Sequence, residues 1–246
     1  MKLEIVAVGA QGAAVAAEEG ADRIELCSAL ELGGLTPSQG LMEAAQEAAD
    51  GRLEIHPLIR SRPGDFLYSD ADVDTTDREI RFLLNQGAHG VVIGVLTAAG
   101  DIDVQTTRKL ADAALETNPD AQLTFHRAVD QTPDPAAAVE QLVELGFTRV
   151  LSSGGAATVG AGIGTLERMV QQAAGRLEVM AGGGLALDDI PALHAAGLSA
   201  VHLSAKATVS TWKNRADSFG APGNSDPTAY MVTNRDLVRA ARAASR

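Results

Sequence analysis

Charged and imidazole side chains recur within short apolar segments of this sequence, or at their ends. These residues are Glu4, Glu25, Arg60, His126 and His202. A charge that points into a packed interior is costly, so it must be paired or must serve a binding site. Because the five residues belong to five different segments, we expect them to converge on one polar cavity. Mutually neutralising structural ion pairs are the alternative interpretation.

Acid–base chemistry is the first activity that these residue types predict. The segment 125–130 combines His126, which can titrate near neutral pH, with Arg127 and Asp130. Glu25 opposite His126 would form a proton-transfer pair whose surroundings separate the two pKa values. His89 and His194, in turn and helix contexts, are interpreted as structural. The candidate catalytic residues are therefore Glu4, Glu25, Arg60, His126, Asp130 and His202.

Anion binding is the second activity predicted. The guanidinium groups of Arg60 and Arg62 suit bidentate binding of a carboxylate or phosphate. Glycine-rich turns after two apolar segments could present free N–H groups to an anion, although a tight turn alone would also explain them. The candidate anion-binding residues beyond Arg60 are Arg62, Arg127, Ser153, Gly154, Gly182, Gly183 and Gly184. A Schiff-base mechanism is disfavoured because the sequence contains four lysines and only Lys206 lies near the end of a strand.

Metal binding is the third possibility. Cys27, with His56 or Met180 nearby, could supply the soft donors that Cu(I) prefers. The sequence contains no Cys-x-x-Cys or His-x-x-x-His spacing that would reveal a preformed site. A lone cysteine at the end of a strand is also typical of a small buried hydrophobic residue.

Composition narrows the class of protein. The 246 residues are 46% hydrophobic, and 20 basic against 32 acidic residues give a net charge of −12. This charge argues against nucleic acid or an anionic membrane surface as a partner. The single cysteine excludes an internal disulfide, and neither a signal peptide nor a transmembrane-length apolar run is found. We therefore expect a single cytoplasmic domain over residues 1–246.

The elements that must position these residues follow a repeated pattern. Helix-like stretches end at Gly20, Gly87, Gly146 and Gly197, and each is followed by a short apolar run. Glycine suits the left-handed position that closes a helix, and such joints imply parallel strands linked by helices. Strands are predicted to begin near Leu3, Asp22, Leu53, Gly90, Gln122, Arg149, Leu177 and Ala200. Eight strands favour a closed (β/α)8 TIM barrel over an open sheet, and barrel sites lie at the carboxyl ends of strands.

Helices and loops complete the prediction. Helices are expected over 76–86, 104–116, 136–145 and 188–196, with a closing C-terminal helix at 228–246. Residues 61–74 and 205–227 look irregular and would lie on the catalytic face as lids, binding loops or ordinary connections.

Several long motifs together resemble the CutC family of copper homeostasis proteins. The matching segments are Gly20–Cys27, Gly33–Ser38, Ile59–Asp70, Thr124–Ala128, Leu145–Gly154 and Ala181–Gly184. The resemblance implies a cytoplasmic TIM barrel that is usually a homo-oligomer and is associated with copper binding. It also places Asp65 with the polar pocket residues named above.

The chain departs from the family pattern at two places. Many members have a cysteine in the first strand where this chain has Val6, so Cys27 lacks the most obvious second thiolate. Ser61 and Pro63 replace residues that are commonly proline and glycine, which predicts a stiffer loop.

Two functions follow from these observations. One is copper handling without turnover, with Cu(I) bound at Cys27 and a histidine or methionine. The other is a metal-independent isomerase, epimerase or lyase acting on a small anionic substrate, for example a phosphosugar, with Glu25 or His126 moving the proton. Barrels host many unrelated functions, so the fold does not decide between them.

Overall fold

Eight parallel strands alternate with helices in the computed structural model, which describes residues 1–210 and 229–246. The strands are β1 (Lys2–Ala7), β2 (Arg23–Leu26), β3 (Glu54–Pro57), β4 (Gly90–Ile93), β5 (Gln122–Phe125), β6 (Arg149–Ser152), β7 (Glu178–Gly182) and β8 (Ala200–Leu203). Their order is β3-β2-β1-β8-β7-β6-β5-β4, and every neighbouring pair is parallel. Each strand begins within a residue of its predicted start.

The two edge strands of this sheet meet and close it into a barrel. Leu58 forms a parallel bridge to Val92, and the Ile59 N–H donates to the Val92 carbonyl oxygen at 2.8 Å. The predicted (β/α)8 TIM barrel is therefore confirmed, and the carboxyl ends of all eight strands surround one opening.

The helices surround this barrel. They are α1 (Ala10–Glu18), α2 (Gln39–Ala49), α3 (Asp70–Asn85), α4 (Val104–Thr117), α5 (Pro135–Glu144), α6 (Val159–Ala173), α7 (Ile190–Ala195) and α8 (Arg235–Ala244). The glycines predicted to close helices have left-handed φ angles of +80° at Gly20, +91° at Gly87, +80° at Gly146 and +86° at Gly197. Alanine and leucine side chains of these helices pack against the outward-facing aliphatic residues of the strands in one continuous core.

Helix α3 starts earlier than the sequence predicted. The sequence predicts an irregular segment over 61–74, but residues 70–74 form the first turns of α3. The reason is a capping box: the Ser69 side chain accepts from the Asp72 N–H, and the Asp72 carboxylate accepts from the Ser69 N–H at 2.9 Å.

The C-terminal segment also differs from the prediction. The loop expected at 205–227 includes β9 (Lys206–Ser210), which pairs antiparallel with β10 (Ala229–Thr233). Residues 211–227 of that expected loop, and residue 228 after it, lie outside the described residues. The closing helix begins at Arg235, not at 228, because Asn234 caps it by accepting from the Leu237 N–H at 3.1 Å.

Candidate functional site

Glu4, Glu25 and His202 meet inside the barrel. Register pairs Glu4 of β1 with His202 of β8 and with Arg23 of β2, so these side chains share the inner face. His202 Nδ1 lies 2.7 Å from Glu4 Oε1, and His202 Nε2 lies 3.5 Å from Glu25 Oε2. The imidazole therefore connects two buried carboxylates. Glu25, predicted to lie opposite His126, has its ion-pair contact with His202.

The protonation of this cluster is set by burial and by charge. Burial alone would raise the pKa of Glu4, but the hydrogen bond with His202 and the charge of Arg23 lower it well below its usual range. Burial raises the pKa of Glu25 to about 7, against a lowering effect of His202. Burial would lower the pKa of His202, yet the hydrogen bond to Glu4 and the charge of Glu25 raise it. Glu4 is thus ionised, whereas Glu25 titrates near neutral pH beside a His202 imidazole whose pKa is raised.

A buried ion network lies next to this cluster. The Arg23 Nε donates to Glu4 Oε2 at 2.5 Å, and Arg23 Nη2 donates to Glu178 Oε1 at 2.8 Å. Arg149 donates to the same Glu178 oxygen and to Thr124 Oγ1. The interpretation of structural ion pairs is therefore correct for Glu4, which belongs to both groups.

Sequence reasoning missed Arg23, Arg149 and Glu178, which hold this network together. The alternation of side chains between the two faces of a strand could have identified them. Arg23 stands two positions before Glu25 and must share its face, and Arg149 occupies the corresponding place in β6.

Arg60 follows β3 and is buried beside the opening. Its Nη1 donates to the carbonyl oxygens of Leu32 at 3.0 Å and Gly34 at 3.1 Å, and its Nη2 donates to Gly64 at 2.7 Å. The guanidinium group lies 5.2 Å from the Phe66 ring centroid. Its Nε atom has no hydrogen-bond partner within residues 1–210 and 229–246. Arg60 therefore binds two loops together and retains a free donor.

His126 follows β5 and is equally buried. Its Nδ1 accepts from the Ala128 N–H at 3.1 Å, which places the hydrogen of the neutral ring on Nε2. The Nε2 atom has no hydrogen-bond partner among the described residues. Burial and the charge of Arg60 lower the pKa of His126 to about 3, so the ring is neutral. Gly94 after β4 makes room for it, since a Cβ atom there would lie 2.4 Å from His126 Cε1.

A cavity of about 530 Å³ at the carboxyl ends of the strands brings five of the six predicted catalytic residues together. Its polar lining includes Glu25, Arg60, His126, Arg127, Asp130, Gln131 and His202, and Cys27 also borders it. Phe66, Leu58 and Leu151 contribute apolar walls, and Gly64 and Phe66 bring the 61–69 loop to its edge. Glu4 is outside the lining, and its carboxylate contacts His202 and Arg23.

The turn after β6 is filled by Asp130. Asp130 Oδ1 accepts from the N–H groups of Ser153 and Gly155, both at 3.0 Å, and from Ser152 Oγ. The Gly154 N–H donates to Ser152 Oγ at 2.8 Å. The donors predicted to hold an anion at Ser153 and Gly154 are therefore satisfied within the protein. Asp130 occupies the place where an external anion would bind.

Arg127 and the β7 glycines lie beside that turn. Arg127 donates to Asp130 Oδ2 at 2.8 Å and to Ser153 Oγ at 2.9 Å. A Cβ atom on Gly183 would lie 2.5 Å from Arg127 Cζ, and one on Gly182 would lie 2.9 Å from His202 Cβ. Gly184 packs similarly against Thr158. These glycines therefore permit close packing around the site.

Arg62 lies away from the cavity lining. It donates to Asp65 Oδ1 at 2.9 Å, to Asp72 Oδ2 at 3.2 Å and to the Leu67 carbonyl oxygen at 2.7 Å. Arg62 and Asp65 therefore stabilise the 61–69 loop, and neither reaches the other predicted site residues in the cavity.

Cys27 lies among apolar side chains. It is 1% exposed and clusters with Val6, Leu58 and Val92. Burial raises the pKa of the Cys27 thiol, with a further contribution from Glu25, so the thiolate that binds metals is disfavoured. Met180, one of its proposed co-ligands, accepts a hydrogen bond from Arg23 through its sulfur. Val6, in place of a second cysteine, packs in the same cluster and offers no donor.

The described residues contain one group of three side chains whose donor atoms could hold a metal ion. Glu4, Glu25 and His202 place one donor atom each within 4.8 Å of one another, and Cys27 is not in the group. Imidazole and carboxylate donors suit Cu(II) and similar divalent ions, whereas Cu(I) prefers sulfur.

Among the described helices, none is long and apolar enough to cross a membrane.

Comparison with known proteins points to one family. The model of the CutC family matches residues 1–207. A CutC family protein of Vibrio vulnificus strain YJ016 is 40% identical over 237 residues, covering 94% of this chain and 93% of the relative. The copper homeostasis protein cutC homolog of Homo sapiens is 36% identical over 241 residues, covering 96% and 86%. A crystal structure of a Streptococcus agalactiae protein named CutC superposes with a TM-score of 0.76 at 28% identity, covering 82% of this chain and 97% of that one.

Proposed function

Because this chain belongs to the CutC family, we propose that it acts in copper homeostasis by binding a copper ion in the barrel opening. The name of the human relative supports the role, and a buried donor group that borders the cavity supports the binding. The role is binding and transfer of the ion, without chemical turnover.

The observation that carries this proposal is the orientation of His202. His202 Nδ1 lies 2.7 Å from Glu4 Oε1, and when the neutral ring carries its hydrogen on Nδ1 and donates it to Glu4, the lone pair of Nε2 is directed toward Glu25. A carboxylate behind a histidine is the usual arrangement that orients a metal-binding imidazole and makes it a stronger ligand. Glu4 is thus the supporting group, and His202 Nε2 and Glu25 are the ligands.

The spacing of the two ligands fits one ion. His202 Nε2 and Glu25 Oε2 are 3.5 Å apart, which matches two ligands that each lie about 2.0–2.2 Å from a divalent ion. Both residues line the cavity, so additional ligands can come from solvent or from a copper donor. Nitrogen and oxygen donors make Cu(II) the expected ion, in place of the Cu(I) expected from Cys27.

Copper affinity is the test of this proposal. We expect Glu25→Gln and His202→Gln to weaken Cu(II) binding at least tenfold, measured by competition with a chromophoric chelator at pH 7.5. Cys27→Ser, and His194→Gln on the exposed face of α7, are the matched controls and should bind as the wild type does. Affinity should also rise between pH 6 and 8, because the ion competes with protons on Glu25 and His202. Undiminished affinity in both ligand variants, or a loss confined to Cys27→Ser, would reject the site.

The isomerase, epimerase or lyase hypothesis is not favoured by the family relationship. Its phosphate-binding part also loses support, since Asp130 takes the Ser153 and Gly155 N–H groups. The acid–base pair that it invoked at Glu25 and His126 has no direct contact among the described residues, because Glu25 faces His202.

Cellular setting belongs to the same proposal. The family resemblance supports a cytoplasmic homo-oligomer, and the net charge of −12 is consistent with neither nucleic acid nor an anionic membrane as partner. Light scattering coupled to size-exclusion chromatography tests the oligomer, and a monomer at micromolar concentration would contradict it.

A further inference from the structure

Arg60 is a buried cation without a counter-ion. Of the three buried arginines in the described chain, Arg23 and Arg149 form ion pairs with carboxylates, whereas Arg60 forms none. Among the described residues, its partners are the backbone carbonyl oxygens of Leu32, Gly34 and Gly64, and its Nε–H donates to none of them. A buried positive charge and an unused donor together call for an anionic acceptor.

His126 supplies a second unused donor beside it. Since Nδ1 accepts from the Ala128 N–H, the hydrogen is on Nε2, and Nε2 has no partner among the described residues. The side chain is 6% exposed, as Arg60 is. The Phe66 ring lies against both groups, with its centroid 4.8 Å from that of His126 and 5.2 Å from Arg60 Cζ.

The walls around these donors limit what they could bind. Arg60, His126 and Phe66 line the same cavity of about 530 Å³, together with Leu58 and Leu151. The nearby cation Arg127 is already paired with Asp130. One uncompensated positive charge fits a monoanion better than a phosphate dianion, and the aliphatic walls fit an apolar body.

We propose that this cavity binds a small organic carboxylate through the Nε–H of Arg60 and the Nε2–H of His126. The carboxylate oxygens accept one hydrogen bond from each donor and neutralise Arg60. Neither donor is in contact with solvent, so the Phe66 ring on the 61–69 loop shifts as the ligand enters. The site is independent of copper binding at Glu25 and His202.

The test is a titration of the apo protein with sodium propionate, in EDTA and at constant ionic strength set with sodium chloride. Histidine-selective ¹⁵N NMR follows the Nε2 signal of His126, and the melting temperature is recorded in parallel. We expect saturable binding, a downfield shift of the Nε2–H proton and a rise in melting temperature. No saturable change up to 100 mM propionate would overturn the proposal, as would stronger binding of inorganic phosphate than of propionate.

Variants assign the effect to the two donors. Arg60→Gln and His126→Phe should each weaken propionate binding at least tenfold, whereas Arg78→Gln on the exposed face of α3 should leave it unchanged. Arg60 also holds backbone carbonyls, so if Arg60→Gln does not fold, His126→Phe decides, because phenylalanine retains the ring packing against Phe66. Wild-type affinity in His126→Phe would overturn the proposal. The EDTA in the buffer keeps this result separate from the copper experiment.

Discussion

At the residue scale, the chemistry of the site depends on which groups share protons and which are fully paired. Glu4 is fixed as a carboxylate by Arg23 and His202, whereas burial raises the pKa of Glu25 to about 7. His126 is held neutral by burial and by Arg60. The barrel opening therefore contains, on one side, the Glu25 and His202 pair that we propose as metal ligands. On the other side are two hydrogen-bond donors without a partner among the described residues.

The raised pKa of Glu25 predicts a pH-dependent stability. Its pKa is about 7 in the folded protein and 4.5 in the unfolded chain, so the folded state retains a proton that the unfolded chain has lost between these values. The contribution of Glu25 to stability therefore falls as the pH rises from 4.5 to 7. The unfolding free energy of Glu25→Gln minus that of the wild type should therefore be roughly 1–3 kcal/mol larger at pH 8 than at pH 5.

Urea unfolding at the two pH values measures this gain. Glu47→Gln on the exposed face of α2 is the control, and its difference from the wild type should be the same at both pH values. If the difference in unfolding free energy between Glu25→Gln and the wild type were also the same at both pH values, ionisation of Glu25 would not destabilise the folded protein, and the prediction would be wrong.

At the element scale, strand ends and the loops that follow them position the side chains. The residue after β4 must be glycine because the His126 ring after β5 lies against Gly94. The loop after β6 is shaped by Asp130, and the 61–69 loop by Arg62 with Asp65 and Asp72. These contacts hold the loops after β3 and β6 at the carboxyl ends of the strands.

Substitution of Gly94 tests this packing. A Cβ atom there would lie 2.4 Å from His126 Cε1, so Gly94→Ala should lower the unfolding free energy by roughly 1–3 kcal/mol and displace the imidazole. The matched control is Gly164→Ala within α6, where a Cβ atom meets nothing within 4 Å. That variant should gain roughly 0.5–1 kcal/mol from helix propensity. Equal effects of both variants on chemical denaturation would contradict the close approach at Gly94.

The elements themselves were largely predictable, and the contacts between them were not. Local signals such as the closing glycines located all eight strands, and the capping pair Ser69 and Asp72 was also visible but was not used. The partner of Glu25 depended on barrel closure, which brings β8 next to β1 and His202 next to Glu4. The copper ligand predicted at Cys27 stays a prediction, and spacing along the chain did not reveal that Val6, Leu58 and Val92 lie around the thiol.

At the scale of the whole molecule, one buried ion network connects distant parts of the barrel. Glu4 of β1, Arg23 of β2, Arg149 of β6 and Glu178 of β7 form a continuous chain of ion pairs. Thr124 extends it to β5 through Arg149. The strands that carry the site are therefore coupled below it, and the network supports the orientation of Glu4 and His202.

Removal of one charge should destabilise the whole barrel. Glu178→Gln leaves Arg23 and Arg149, which are 1% and 2% exposed, short of a carboxylate. We expect a loss of roughly 3–5 kcal/mol in the free energy of global unfolding, because breaking a buried pair leaves an uncompensated charge. Glu116→Gln, which breaks the exposed pair with Arg81, should cost less than about 1 kcal/mol. Similar losses for the two variants in urea denaturation would contradict a structural role of the network.

We propose that copper is bound by His202 and Glu25 and not by Cys27. Electron paramagnetic resonance of the protein loaded with one equivalent of Cu(II) tests it most directly, with the wild type compared with His202→Gln and Cys27→Ser. We expect hyperfine coupling to one imidazole nitrogen in the wild type and in Cys27→Ser, and we expect this coupling to disappear in His202→Gln. A spectrum that persists in His202→Gln and changes in Cys27→Ser, together with a thiolate-to-copper absorption band, would contradict it.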